Sequence, residues 1–220
     1  MRAQRSGALS VLTVVIASTL VASQSPTIAR HTDAPPTELA DPIEALMAPQ
    51  GERVVVGGTT LEFWWVKSMP LLSSSTDVSW SAVEEGTLVG TVALSASYPS
   101  IRAGTMKAGI YTLRYGIQPA DGAHAGVSPY RDFLLLAPAA SDNSVAALGH
   151  DGVVALAKQA LGGGHPASWS LDPPIAAGEV GSTRVNEAGQ TSVVFSVPVS
   201  RDGKDVGTLK FGLVLVGTVQ

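Results

Sequence analysis

The sequence predicts an all-β protein: a β-sandwich, immunoglobulin-like or jelly-roll-like, with one short helix. Three observations carry that expectation. Residues 110–118 alternate cleanly, with Tyr111, Leu113, Tyr115 and Ile117 on one side and Thr112, Arg114, Gly116 and Gln118 on the other. Residues 191–216 form two alternating runs around Asp202-Gly203, a strong hairpin signal. The 23 Gly and 14 Pro are spread among short apolar runs, which suits many strands and turns. A closed barrel is the alternative way to bury such faces.

Taken in order, the chain opens on a segment with the form of a secretory signal. Arg2 and Arg5 precede an apolar stretch over residues 8–21, and Val21-Ala22-Ser23 has the small-x-small pattern of a cleavage site. Residues 1–23 are therefore expected to be a signal peptide and the mature protein periplasmic or extracellular. No later run is long enough for a membrane span. Residues 24–50, rich in Pro, Thr and Ala, read as a flexible leader with a helical turn near residues 43–47. His31 is expected to be solvated. Residues 51–220 are expected to form a single β-sandwich domain.

Within that domain, residues 54–56 and 61–67 read as strands around Gly57-Gly58. Trp64 and Trp65 must point to opposite faces. One is expected in the core, the other under a loop or helix or exposed to a ligand. Residues 87–95 form a further strand, with Gly90 permitting a close approach or bulge. Residues 98–106 read as a loop. Residues 110–118 are a half-buried strand whose Thr112 side is expected at the surface. Pro119 stops its pairing. The apolar run at 132–136 suits a strand covered on both faces.

The loop between these two strands exceeds an ordinary hairpin, and long loops often carry function. Residues 151–161 fit helical spacing, with Asp151 as a cap and Gly162-Gly163-Gly164 as a stop, although their length also allows a strand; helix is the reading adopted. After a linker from Asp172, the C-terminal hairpin places Val193, Phe195, Val197 and Val199 on one face. Leu209, Phe211, Leu213 and Leu215 align on the return strand. Pro198 implies an edge position or a bulge.

At residues 62–67 (EFWWVK), 109–115 (GIYTLRY) and 126–135 (GVSPYRDFLL), the chain resembles an uncharacterised exported bacterial protein family to which no activity is assigned. The likeness extends over most of the chain after residue 23, including the segment ending at Pro166. The resemblance implies export and a single domain. It carries over no catalytic residue.

The chemistry is sparse. No Cys is present, which excludes a thiol nucleophile, a disulfide and a lipoprotein anchor. Formal charge is −4 with 15% charged residues and no basic stripe, which argues against nucleic acid as a partner. G-x-S-x-G, Walker and H-E-x-x-H motifs are all lacking. The adjacent Glu84 and Glu85 would splay apart on a strand.

The best polar cluster lies in the hairpin loop. Asp121 and His124 are of the right types for a divalent metal if a third ligand such as His165 came from elsewhere. Arg131 and nearby Trp169 complete the candidate binding set of Asp121, His124, Arg131, His165 and Trp169. The plainer reading is a self-satisfied loop, with Arg131 on a carboxylate or on backbone carbonyls. His124 and His165 are expected at one end of the sandwich.

Two functions follow. The first is a non-catalytic binding or envelope-interaction module for a small molecule, a glycan or an envelope protein. The second is a metal-assisted hydrolase using loop histidines. No cofactor is specified by the residues.

Mass spectrometry of the exported protein should find a chain starting near residue 24. An intact Met1 in that fraction would overturn the assignment of residues 1–23.

Overall fold

The computed structural model describes residues 25–101, 104–120, 130–172 and 179–217. Strand β1 (Thr27–His31) is followed by a short helix α1 (Asp41–Glu44) and by β2 (Gly51–Val56), β3 (Thr59–Trp65) and β4 (Met69–Leu71). Next come β5 (Leu88–Leu94), β6 (Tyr98–Pro99), β7 (Thr105–Met106), β8 (Gly109–Ile117) and β9 (Asp132–Pro138). Helix α2 (Gly149–Gln159) then leads to β10 (Ser168–Asp172), β11 (Thr183–Val185), β12 (Thr191–Arg201) and β13 (Lys204–Val216).

The fold is all-β with little helix, as the alternation predicts. Its main sheet has the order β1-β2-β3-β5-β8-β9-β10-β13-β12-β11, with β4 also on β12, and it curls into a half-barrel. The pair β6-β7 forms a small separate sheet. The two layers expected of a sandwich are the two halves of the curled sheet, joined through β10. Aromatic side chains from the two halves meet across the core. Phe63 lies 5.0 Å from Phe195, and Trp65 lies 5.3 Å from Phe211. Strand β4 continues the chain just beyond β3 yet pairs in parallel with β12, which stitches the two halves together.

The C-terminal hairpin forms as read. Asp202 and Gly203 both take positive φ, 52° and 73°, as a two-residue turn of the primed type requires. Val193, Phe195 and Val197 are buried opposite Leu213, Phe211 and Leu209, and Val199 and Leu215 are buried as well. A register shift falls between Val199 and Ser200, next to Pro198.

Both adjacent tryptophans are buried. Trp65 faces the core and donates from Nε1 to Glu52 at 2.9 Å. Trp64 faces outward, donates to the Asp33 carbonyl at 2.9 Å and meets the His31 ring edge-on at 4.9 Å. Burial raises the Glu52 carboxyl above its ordinary value, against the lowering effect of the Trp65 bond and of Arg30.

The expected leader requires correction. Residues 27–31 are an edge strand on β2, and Leu39, Ile43 and Met47 belong to the main core. Only Ile43 stands on α1, and Met47 reaches the core from a bridge to Val66; sparse apolar residues in a Pro- and Thr-rich composition gave little sign of this. His31 is buried rather than solvated.

The outer face of β8 also differs from expectation, since Thr112 and Arg114 are wholly buried. Arg114 donates Nε and Nη2 to the two oxygens of Asp142 at 2.6 and 2.8 Å. Its Nη1 reaches the carbonyls of Gly86 and Ala146 at 2.7 and 3.1 Å, and Nη2 also reaches the Ser144 carbonyl. Thr112 donates to Asp142 at 2.6 Å. The expected helix is present as α2, two residues earlier than read. It packs Val153 and Ala157 on Leu135 beside this network. Strand β9 is thereby covered on both faces, as its apolar run predicts.

Removing one partner of a buried pair strands the other charge. Asp142→Ala should therefore cost about 3–5 kcal/mol in a urea titration. Thr112→Ala should cost about 1–3 kcal/mol by unsatisfying a buried carboxylate. A Thr112→Ala loss within about 0.5 kcal/mol, the surface range, would show that the network does not form in solution.

Candidate functional site

Three of the five predicted site residues, Arg131, His165 and Trp169, lie among the described residues. Asp121 and His124 lie outside the described residues, so the expectation that His124 shares an end with His165 rests there. Arg131 is exposed at the start of β9, and its Nε and Nη2 donate to the Gln118 carbonyl at 2.9 and 2.7 Å. It closes the root of the loop on backbone, which matches the self-satisfied reading. His165 is exposed in the turn after α2. The pairing of Ser168 with Leu135, and the bond from the Leu136 amide to the Ala167 carbonyl, place His165 toward the Pro138 end of β9. Among the described residues, no group of three or more His, Cys, Asp or Glu side chains is arranged to hold a metal ion.

Near the Arg131 end, two polar pairs sit side by side. His150 Nδ1 and Glu85 Oε1 are 2.8 Å apart, and the same oxygen accepts from the Ile117 amide at 2.8 Å. Tyr115 donates to Asp132 at 2.6 Å while its ring stacks on Trp80. These contacts tie the first turn of α2 and the loop root to β8.

Trp169 borders a cleft. It sits on the inner face of β10 and is 1% exposed. A cleft of about 410 Å³ opens where β6, the end of β13 and the β2–β3 turn approach one another. Its walls include Val56, Tyr98, Ile101, Trp169, Leu215 and Val216. The aromatic side chains are fixed by hydrogen bonds. Tyr98 donates to the Leu215 carbonyl at 2.6 Å, and Trp169 Nε1 donates to the Pro99 carbonyl at 3.2 Å. The two rings meet edge to face, with centroids 5.9 Å apart. A concave, largely apolar recess is a common form of small-ligand site. A smaller recess of about 210 Å³ is rimmed by the exposed Leu46, Leu72 and Val145.

Sequence reasoning missed the rest of the cleft. Tyr98 and Pro99 stand in a segment read as a loop. The one local signal was an aromatic-proline pair amid Ser and Gly. Nothing local says that residues 214–217 return beside it.

No family model, curated protein or solved structure matches this chain. The resemblance drawn from residues 62–67, 109–115 and 126–135 therefore stands on those residues alone.

Burial holds the hydroxyls of Tyr98, Tyr111 and Tyr115 above the ordinary tyrosine value, and at Tyr115 the Asp132 carboxylate adds to the effect. The unfolded chain ionises its tyrosines near pH 10 while the folded one keeps these protons. Their contribution to stability is complete below about pH 10 and is lost as pH rises through the folded values. A phenolate absorbance titration should show these three of the four tyrosines resisting ionisation until the protein unfolds. Four phenols titrating near pH 10 with unchanged circular dichroism would contradict this.

Proposed function

We propose that the protein is an exported, non-catalytic binding module that holds its ligand in the cleft beside Trp169 and Tyr98. Export rests on the signal-like residues 1–23. One observation carries the binding reading. The cleft is largely apolar, and among the described residues its only ionisable lining residue is Tyr98, whose hydroxyl is held by the Leu215 carbonyl and kept neutral by burial. Acid–base and nucleophilic catalysis both need a group whose proton or lone pair is available to a substrate. This cleft provides binding surface instead. A hydrolase would draw on Asp121 and His124 and would declare itself by its metal.

Two measurements test the assignment. Elemental analysis of the purified protein should find no stoichiometric zinc or copper. A thermal-shift screen with an arylamine, an aryl sulfonate and cellobiose should give saturable stabilisation by at least one probe. Thr59→Trp, which places an indole at the cleft rim, should remove that response. Stoichiometric metal, or a response that Thr59→Trp leaves unchanged, would refute binding at the cleft as the function.

A further inference from the structure

We infer that the ligand of the cleft is an uncharged, largely apolar small molecule of two or three rings, rather than a glycan or a protein segment; this rests on the binding reading above. The charge argument comes first. Among the described residues, no Asp, Glu, Lys, Arg or His lines the cleft. An ionised ligand group would therefore leave water with no counter-charge, which is strongly unfavourable.

The polar groups at depth are already committed. Tyr98 is used by the Leu215 carbonyl and Trp169 by the Pro99 carbonyl. Ser100 donates from Oγ to the Ser168 carbonyl at 3.2 Å and accepts from the Ser168 amide at 3.1 Å. A sugar ring entering here would lose hydrogen bonds to water on several hydroxyls and find these side chains engaged, a loss of the kind that makes unsatisfied polar groups costly. Only the rim is wet, with Ser97 exposed and Thr59 half-buried. One polar substituent of a ligand is accommodated there, pointing outward.

Size and shape narrow the class further. A cavity of about 150 Å³ holds benzene. The 410 Å³ found here leaves room for a larger ring system without rearrangement. The hydrogen bonds of Tyr98 and Trp169 fix both rings before a ligand arrives, so little ordering entropy is lost on binding.

A matched pair of dyes tests this directly. N-phenyl-1-naphthylamine and 8-anilinonaphthalene-1-sulfonate share one ring skeleton and differ by a sulfonate. Fluorescence titrations of the purified protein are run in 1 M salt, where the screening length is about 3 Å, so that the formal −4 charge of the chain does not decide the result.

The neutral dye should bind saturably and at least tenfold more tightly than the sulfonate. Its binding should be lost in Thr59→Trp at an unchanged thermal midpoint, with Ser97→Trp as a second plug should the first fail to fold. Equal affinity for the two dyes, both lost in the plugged variants, would overturn the ligand class while leaving the cleft a binding site. Binding of cellobiose in preference to the neutral dye would do the same. Dye binding that survives both plugs, or no binding of any probe, would overturn the cleft reading itself.

Discussion

The Arg114–Asp142 pair holds together parts of the molecule that have no other reason to meet. Arg114 stands on the outer face of β8, where alternation would normally place a solvated side chain. Asp142 comes from the loop after β9 and brings residues 142–148 over that face. Burying both charges is costly, and the attraction offsets that cost only when geometry is good and every remaining donor is used. Here the guanidinium is bidentate on the carboxylate and reaches three backbone carbonyls besides. Thr112 supplies a further donor to Asp142. The result is a fixed loop that delivers α2 onto Leu135 and Phe133. The Glu85 carbonyl accepts from Gly149, the first residue of α2, so the helix start depends on the same neighbourhood.

The curl of the sheet follows from a second constraint. Strand β3 is far in sequence from the β12–β13 hairpin, but all three strands carry aromatic side chains on their inner faces. Those side chains fill one another's space only if the two halves close. Phe63, Trp65, Phe195 and Phe211 form that contact, and Trp169 on β10 reaches Phe63 at the fold line. Closure by β4 on β12 is local, covering Met69–Leu71 against residues 199–201. The far end is spanned by the small β6-β7 sheet and by Tyr98 on Leu215 instead of by a full ladder. The cleft is what that lighter closure leaves. A tyrosine and a tryptophan with their polar atoms satisfied can line such a space without attracting water into it.

The legible and illegible parts divide along sequence distance. The Asp202-Gly203 turn was readable because two consecutive residues tolerant of positive φ fix both turn type and register. Helix α2 was readable from its spacing and the glycines after it. The leader was misread because Leu39, Ile43 and Met47 look weak beside so much Pro and Thr, and their burial is decided by distant partners. Thr112 and Arg114 were misread because alternation reports which residues share a face and not whether that face is covered. The candidate site fared similarly. Trp169 was noticed as an aromatic, but Tyr98 and Leu215, which complete the cleft, come from segments distant in the chain.

What the sequence determined by itself is therefore everything with a short reach: strand periodicity, the turn chemistry, the helix, the all-β class and the missing catalytic motifs. These depend on backbone geometry over a few residues, which local composition encodes. The tertiary structure alone decided that one sheet supplies both layers, that a buried arginine finds Asp142, and that Tyr98, Trp169 and the end of β13 enclose a cleft. Those outcomes depend on which distant surfaces bury one another most completely, and no local pattern records that competition.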